Sequence, residues 1–441
     1  MAKDSCQYEL VLLGATGYTG KLTAEYITTN LPTNLKWAIA GRNAKKLQNV
    51  AQELTKLAPD RKQPDIEICE LQKDELDVLA KKTRLIVTTV GPYMWYGEPV
   101  LAACAENGTH YLDCTGETPW YRDMVDKYDG MAKRNGAIMI PQCGLDSVPA
   151  DILTFFLTTH IRYTLHSPTS SVVLTLYALK SGLSGGTAAT ALNIFSHYPL
   201  KKLAADFKPW SISPMPPNQP SRPPKAANFF YRLLGLHYLP ELGGIQTVGA
   251  MASVDTCLVH RSWGIFESLS NVAKDNTGSS SGSSSASSIS YGPHFRFTEY
   301  MRAKTLSFAA IWRILFNLTG ILLAFPPSRL LITPLAKKFL IPAPGEGPTK
   351  ESMKNDFMHY RAVAIADSEG KEKVVGRLEV ERGGYAMTAL TLSVAAEVML
   401  RGDLAATEAG KIGGGILTPA TLGEQYVESL KKAGCKIEVG I

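Results

Sequence analysis

Short apolar runs alternate with helix-length segments through the first 160 residues. The runs YELVLLG (8–14), LKWAIAG (35–41), DIEICEL (65–71), LIVTTVG (85–91) and AIMIPQC (137–143) are mostly apolar throughout. Parallel strands covered on both faces have this character. HYLDC (110–114) is a weaker sixth. Between them, spans such as Ala44 to Leu57 and Pro99 to Asn107 carry helical apolar spacing. This alternation predicts an α/β fold, a Rossmann-type doubly wound parallel sheet over residues 1–160.

Beyond residue 160 the rhythm changes, and a second α/β domain is expected over 161–400. SSVVLTLYAL (170–179) reads as a strand and GGTAATALNIF (185–195) as the start of a helix. Seven prolines between 209 and 224 forbid a regular helix and predict an extended surface crossing. The Ser-rich stretch 276–290 reads as a flexible insertion. Residues 359–384 read as a hairpin turning at Asp367 to Gly370, and 385–403 as a long apolar helix. The last segment, 401–441, holds an amphipathic helix ending at Gly434 and is expected to pack back on the first domain.

One apolar segment, 306–341, stands apart. LSFAAIWRILFNLTGILLAF (306–325) has Arg313 and Asn317 as its strongly polar exceptions, and twenty helical residues span about 30 Å. Pro326 and Pro327 break it, and LLITPLAKKFLIP follows. Three readings stand: a membrane-dipping hairpin, an interfacial helix, or a buried helix of the second domain. Arg313 at mid-span is costly in lipid.

The first strand runs into GATGYTG, with Gly14, Gly17 and Gly20 at GxxGxxG spacing and Thr16 and Tyr18 between them. Glycines there permit a tight turn and close approach to a pyrophosphate, and the following helix offers its free N–H groups. A plain structural turn is the alternative reading. An NAD-selecting carboxylate belongs about 20 residues past the glycines. The window Ala38 to Asn43 holds no acid, and Arg42 follows Gly41 directly, with Lys45 and Lys46 one turn on. A guanidinium suits a 2′-phosphate, so the pocket is expected to prefer NADP(H) over NAD(H). A solvated helix-start arginine is the alternative. Gly91 and Pro92 end the fourth strand where dinucleotides lie, and Tyr93, Trp95 and Tyr96 form an aromatic group at the mouth.

Two further strand-end turns carry polar groups. In DCTGETP (113–119), Thr118 and Pro119 suit a helix start, while Asp113 and Glu117 point to the crevice. In CGLDSVPAD (143–151), Asp146 or Ser147 could cap the next helix. Tyr93, Glu117 and Asp146 are the candidates for orienting a substrate or supplying a proton, and the acid itself stays unassigned. YxxxK spacing occurs at Tyr198/Lys202 and Tyr300/Lys304, both beyond the first domain, and reads as chance. Seven cysteines without CxxC spacing argue for no metal and for reduced thiols facing the cytosol. No apolar signal segment opens the chain. A net charge of +6, from 46 basic and 40 acidic residues, is too mild for a nucleic-acid partner.

GATGYTG, AGRNAKKL, TVGPYMWYGEPVLAACAENGTHYLDCTGE and GLDSVPADI resemble the saccharopine dehydrogenase-like oxidoreductases. GEGP (345–348) and GGGILTPATLGEQYVESLKKAG resemble the same group. The likeness implies an NADP-dependent oxidoreductase of two domains. It is similar to the branch of trans-acting enoyl reductases of lipid and polyketide assembly. That implies a small-molecule or carrier-bound acyl substrate, a polyketide synthase as partner, a membrane or lipid-droplet surface, and a homodimer through the second domain. Two alternatives are a saccharopine-type amino-acid or imine dehydrogenase and a non-catalytic NADP(H)-binding protein at a membrane or lipid droplet. The Pro-rich and Ser-rich stretches depart from the family pattern.

Overall fold

The computed structural model describes residues 6–182, 185–217, 229–277, 289–339 and 345–440. Strand and helix alternate from the start: β1 (Tyr8–Leu13), α1 (Tyr18–Asn30), β2 (Trp37–Gly41), α2 (Ala44–Leu57), β3 (Asp65–Ile68) and α3 (Lys73–Lys82). Next come β4 (Thr83–Thr88), α4 (Tyr93–Asn107), β5 (His110–Asp113), α5 (Thr118–Asn135), β6 (Ile138–Ile140) and α6 (Val148–Thr164). The six strands are parallel and lie in the order β6-β5-β4-β1-β2-β3. The order reverses between β1 and β4, and such a switch point opens the crevice in which doubly wound sheets bind dinucleotides.

The apolar runs divide between the two faces of this sheet. Leu10, Leu12, Ile39, Leu85 and Val87 enter one core, while Val11, Leu13, Ala38, Ala40 and Ile86 enter the other. With both faces dry, each strand must be apolar at every position. The third run is an exception to the expected burial. β3 is the sheet's edge, and Ile66 and Ile68 stay exposed, because no strand lies beyond it.

The chain then forms β7 (Thr169–Lys180), α7 (Gly185–His197), α8 (Leu200–Asp206), α9 (Phe229–Leu234), β8 (His237–Leu239), β9 (Gly244–Thr247) and α10 (Ala252–Thr277). β10 (Phe297–Arg302), α11 (Leu306–Ala324), α12 (Pro326–Phe339), α13 (Lys350–Met353), β11 (Phe357–Ala366) and β12 (Lys373–Val380) follow. The last elements are α14 (Gly384–Arg401), α15 (Glu408–Ile412), β13 (Gly415–Ile416), α16 (Gly423–Lys432) and β14 (Lys436–Val439). The second sheet runs β14-β12-β11-β7-β10-β9-β8, antiparallel except for the β7–β10 pair. In β11, Met358, Tyr360, Ala362 and Ala364 are buried, while His359 and Arg361 are only partly so. That is the period-two pattern of a half-covered antiparallel strand. α6 and α10 lie over the second sheet and share one continuous core with the first.

The C-terminal stretch serves both sheets. β13 extends the first sheet beside β6, and β14 pairs with β12 in the second. α14 lies against α1, so the nucleotide-binding layer draws on chain well before residue 400. α14 is buried almost all round, and an all-apolar helix does not reveal from sequence which layer it joins.

The described part of the Pro-rich stretch, 209–217, corrects the expected surface crossing. Ile212 is buried, and Trp210 stacks on His260 with ring centroids 3.7 Å apart. Ser213 and Pro214 sit so close over Gly264 that a β-carbon there would clash. Proline excludes a helix but not burial, and here aromatic and aliphatic neighbours pin the segment to α10. Residues 218–228, and most of the Ser-rich stretch, lie outside the described residues.

Candidate functional site

The turn after β1 is built by steric exclusion. Gly14 adopts φ +90°, and a β-carbon there would lie 2.8 Å from Val90 Cγ2. At Gly20 a β-carbon would stand 2.2 Å from the Gly14 carbonyl oxygen. Only glycine lets α1 start this close to the β1–β4 floor. Gly17 is the N-cap of α1; no side chain caps this end, and no acid lies in its first turn. Helix N-terminal N–H groups are therefore offered beside a cradle of bare backbone, as a pyrophosphate requires. Sequence reasoning missed two supports. Thr89 Oγ1 donates to the Gly14 carbonyl at 3.3 Å. The GEGP segment closes over Tyr18: its hydroxyl donates to the Pro348 carbonyl at 2.5 Å, and Gly347 packs on its ring. Gly345 has its own local reason, a φ of +88°, so the signal for the second was Gly347, which has none. Thr16 lies half-buried in the turn.

Arg42 occupies the single position between the end of β2 and Asn43, the N-cap of α2. Asn43 Oδ1 accepts from the Lys46 amide at 2.9 Å, which frees Arg42 from any capping duty. Its side chain is exposed, as are those of Lys45 and Lys46. This arrangement fits the adenosine end of a dinucleotide that carries a 2′-phosphate.

On the other half of the sheet, Gly91 and Pro92 lead into α4. The N-terminus of α4 is held by a residue distant in sequence. Glu117 accepts from the Tyr93 amide at 2.9 Å and the Met94 amide at 2.6 Å, and from Thr190 Oγ1 of α7 at 3.1 Å. Burial still raises its pKa against these bonds. Glu117 also takes the N-cap position of α5, where its side chain makes no capping bond, and Thr118 is the first helical residue. The Tyr93 hydroxyl donates to the Thr88 carbonyl at 3.1 Å and lies 3.4 Å from Cys114 Sγ. Buried, with its pKa far above normal, it is occupied as a strut between β4 and β5. Trp95 and Tyr96 remain exposed, and Trp95 Nε1 donates to His197 Nδ1 at 3.2 Å.

Asp146 lies in the turn that leaves β6. Neither expected cap forms: Ser147 is the N-cap of α6 but makes no side-chain bond. Asp146 faces the β5 turn instead, where a β-carbon on Gly116 would lie 3.7 Å from its Oδ2 and 3.9 Å from Met251 Cε. Burial lifts its pKa to about 6. Asp255 of α10 and Glu299 of β10 are buried beside each other and interact; burial pushes both upward, Glu299 to about 7. Two carboxyls in that setting share a proton. Asp255, Glu299 and Tyr360 each feel the charge of Asp146. Deeper still, Asp113 is raised to about 7 by burial, against bonds from Thr115 N, Tyr111 Oη and Gln142 N. The two YxxxK pairs play no part: Lys202 is paired with Asp123 and Asp206, and Tyr300 is buried in β10. A cavity of ≈ 340 Å³ between α5, α10 and residues 211–214 touches neither Asp146 nor the glycine turn. No group of three metal-binding side chains occurs among the described residues.

These carboxyls set the pH response of the fold. A carboxyl whose folded pKa is raised stabilises below its unfolded pKa of about 4, and the effect is lost as pH rises through the folded value. Asp113, Asp146, Asp151 and Glu299, with folded values of about 6 to 7, all act in this direction. His260 opposes them. It is held neutral with a pKa of about 3, its Nδ1 at 3.0 Å from the Pro209 carbonyl and its Nε2 accepting from Phe297 N. It therefore loses stability as pH falls below about 6.5. The raised carboxyls outnumber the histidine and predict a melting temperature that falls between about pH 4 and about pH 7. Glu299→Gln should flatten that slope in a thermal-shift series; a melting temperature rising across the window would refute the assignment.

Residues 10–140 match the saccharopine dehydrogenase NADP binding domain. The trans-acting enoyl reductase of Mycobacterium leprae is 29% identical over 99% of this chain and 99% of its own. That of Mycobacterium ulcerans is 29% identical over 98% of each. Among solved structures, apo saccharopine dehydrogenase (L-Glu forming) from Saccharomyces cerevisiae aligns over 98% of this chain and 100% of its own, at 11% identity and a TM-score of 0.47.

Proposed function

We propose that this chain, whose residues 10–140 match a saccharopine dehydrogenase NADP binding domain, is an NADP(H)-dependent oxidoreductase that reduces the carbon–carbon double bond of an apolar enoyl thioester. One observation carries this reading. The groups gathered at the carboxyl edge of β5 and β6 are Asp146, Asp255, Glu299, Tyr360 and Met251, an acidic and apolar set. A saccharopine-type dehydrogenase must hold several substrate carboxylates and needs arginines there. The arginines of the neighbouring sheet are committed elsewhere: those of Arg302 and Arg361 lie over the Tyr177 ring, and Arg302 Nε donates to the Gly243 carbonyl.

NADPH, when bound, supplies a hydride. The turn at Gly14, Gly17 and Gly20 and the open end of α1 hold the pyrophosphate, with Thr16 and Tyr18 flanking it. Arg42 holds the 2′-phosphate, and Gly91 and Pro92 border the nicotinamide half. Asp146 holds a proton on Oδ2 and gives it to the substrate carbon next to the thioester carbonyl. A pKa of about 6 suits an acid working near neutrality. Glu299, at about 7, stays largely protonated as Asp146 ionises, and burial is what returns the proton to Asp146. Glu117 and Tyr93 are positioning residues for α4.

The named relatives are trans-acting, which supports a substrate presented by another protein, and a polyketide synthase is the partner class we assign. Seven free cysteines support work on the cytosolic side. The test is NADPH consumption followed with an enoyl thioester of pantetheine and, in reverse, NADP reduction with saccharopine. Consumption with the thioester alone is expected. Turnover of saccharopine alone would sink the reading.

A further inference from the structure

We infer that α9, α11 and α12 form a seat for an anionic phospholipid surface, on which the protein lies without crossing it. α11 has the length and mean hydropathy, 1.7, of a membrane span, yet only 11% of it is buried. A core helix of the same composition would be covered. Around it, exposed apolar side chains continue from helix to helix: Phe230 and Leu233 on α9 at 69% each, Ile321 on α11 at 65%, and Leu330 and Leu331 on α12 at 76% and 72%. α9 joins α11 through the small core of Leu236, Ala303 and Ala309. Exposed apolar side chains that continue over several elements mark interaction sites for proteins or membranes.

The charges say which occupant. Between Glu299 and Glu346 the chain has six Lys or Arg and no acid. Two of the described cations, Arg313 and Arg329, are turned away from the seat. Arg313 lies against Gly235, with Nη2 3.0 Å from where a β-carbon would stand, and Arg329 Nη1 donates to the Phe195 carbonyl at 2.5 Å. This removes the objection that Arg313 raised from sequence. Arg232 and Lys304 remain exposed at the edge. An apolar face with a cationic rim and no acid matches an anionic lipid leaflet, whose headgroups attract such a rim. Crossing is excluded by the way α11 is tied down. Trp312 Nε1 donates to the Val248 carbonyl at 2.9 Å, and Thr247 Oγ1 donates to the Ala309 carbonyl at 3.3 Å, so one side stays on the second sheet.

The seat connects to the proposed site through one helix. α7 packs Leu192 and Phe195 against Leu323 and Ala336 of the seat. Its Thr190 bonds Glu117 at the head of α4, and its His197 accepts from Trp95. A lipid-borne acyl chain would therefore meet the crevice across α7. This last step rests on the enoyl-reductase reading; the seat does not.

The test is flotation of the purified full chain with vesicles of phosphatidylcholine, with and without phosphatidylserine. Leu330→Glu/Leu331→Glu is the variant, since both side chains already stand in solvent and its NADPH affinity serves as the folding control. The wild type should float with the phosphatidylserine vesicles, and the variant should float at least about tenfold less with NADPH affinity unchanged. Absence of wild-type flotation, equal flotation of the variant, or a dimer that the variant dissociates in the absence of lipid would each overturn the inference. A chain that floats as expected but ignores enoyl thioesters would keep the seat and remove only the proposed chemistry.

Discussion

Arg42→Glu should weaken NADPH binding by about 100-fold while leaving NADH within a few-fold of its wild-type affinity. The asymmetry follows from position. Arg42 stands between the last residue of β2 and the N-cap of α2, at the half of the crevice that receives the adenosine end. Charge-assisted bonds to a phosphate contribute about 1.5–3 kcal/mol, and a carboxylate in their place adds repulsion. Each 1.4 kcal/mol is about tenfold in affinity. NADH has no 2′-phosphate, and glutamate can bond its ribose hydroxyls, so its loss is small or reversed. The fold should tolerate the change because Arg42 is exposed and Asn43 supplies the cap. Fluorescence titration with both cofactors, at low and raised salt, reads the effect directly. The NADPH difference should shrink with salt as the pair is screened. Equal losses for the two cofactors would place the 2′-phosphate elsewhere.

The glycine turn and the strand ends beside it were legible because their signals are local. A glycine turn, a strand end and a missing carboxylate all sit within about one βαβ unit of each other. The near-continuous apolar runs betrayed their strands for the same reason, since each strand records how many of its own faces are dry. What stayed illegible depends on partners far along the chain. Glu117 looked like a crevice acid because nothing in DCTGETP shows that it holds the start of α4, 23 and 24 residues earlier. The closure of Gly347 over Tyr18 joins residues more than 300 positions apart. Asp255 and Glu299, each unremarkable in its own helix or strand, become a proton-sharing pair only when α10 crosses β10. The exposure of α11 was undecidable from composition, which is the same for a buried helix and a lipid-facing one.

That contrast decides which candidate acid to remove. Asp146→Asn should lower kcat for the enoyl substrate by about 100-fold or more and leave NADPH affinity unchanged. Glu117→Gln and Tyr93→Phe should act differently, lowering thermal stability and raising KM, because both side chains are spent on the α4 start and the β4–β5 floor. The pH profile separates the roles. A donor whose pKa lies at about 6 must be protonated to act, so wild-type kcat should fall about tenfold per pH unit well above that value. Asp146→Asn should lose this limb, its residual rate being carried by water. Glu299, at about 7, is still protonated when Asp146 ionises, and burial alone raises Asp146, so Glu299→Gln should leave the limb near its wild-type position. A limb that persists in Asp146→Asn, at the wild-type position, would transfer the proton to another group and leave Asp146 a bystander at the rim.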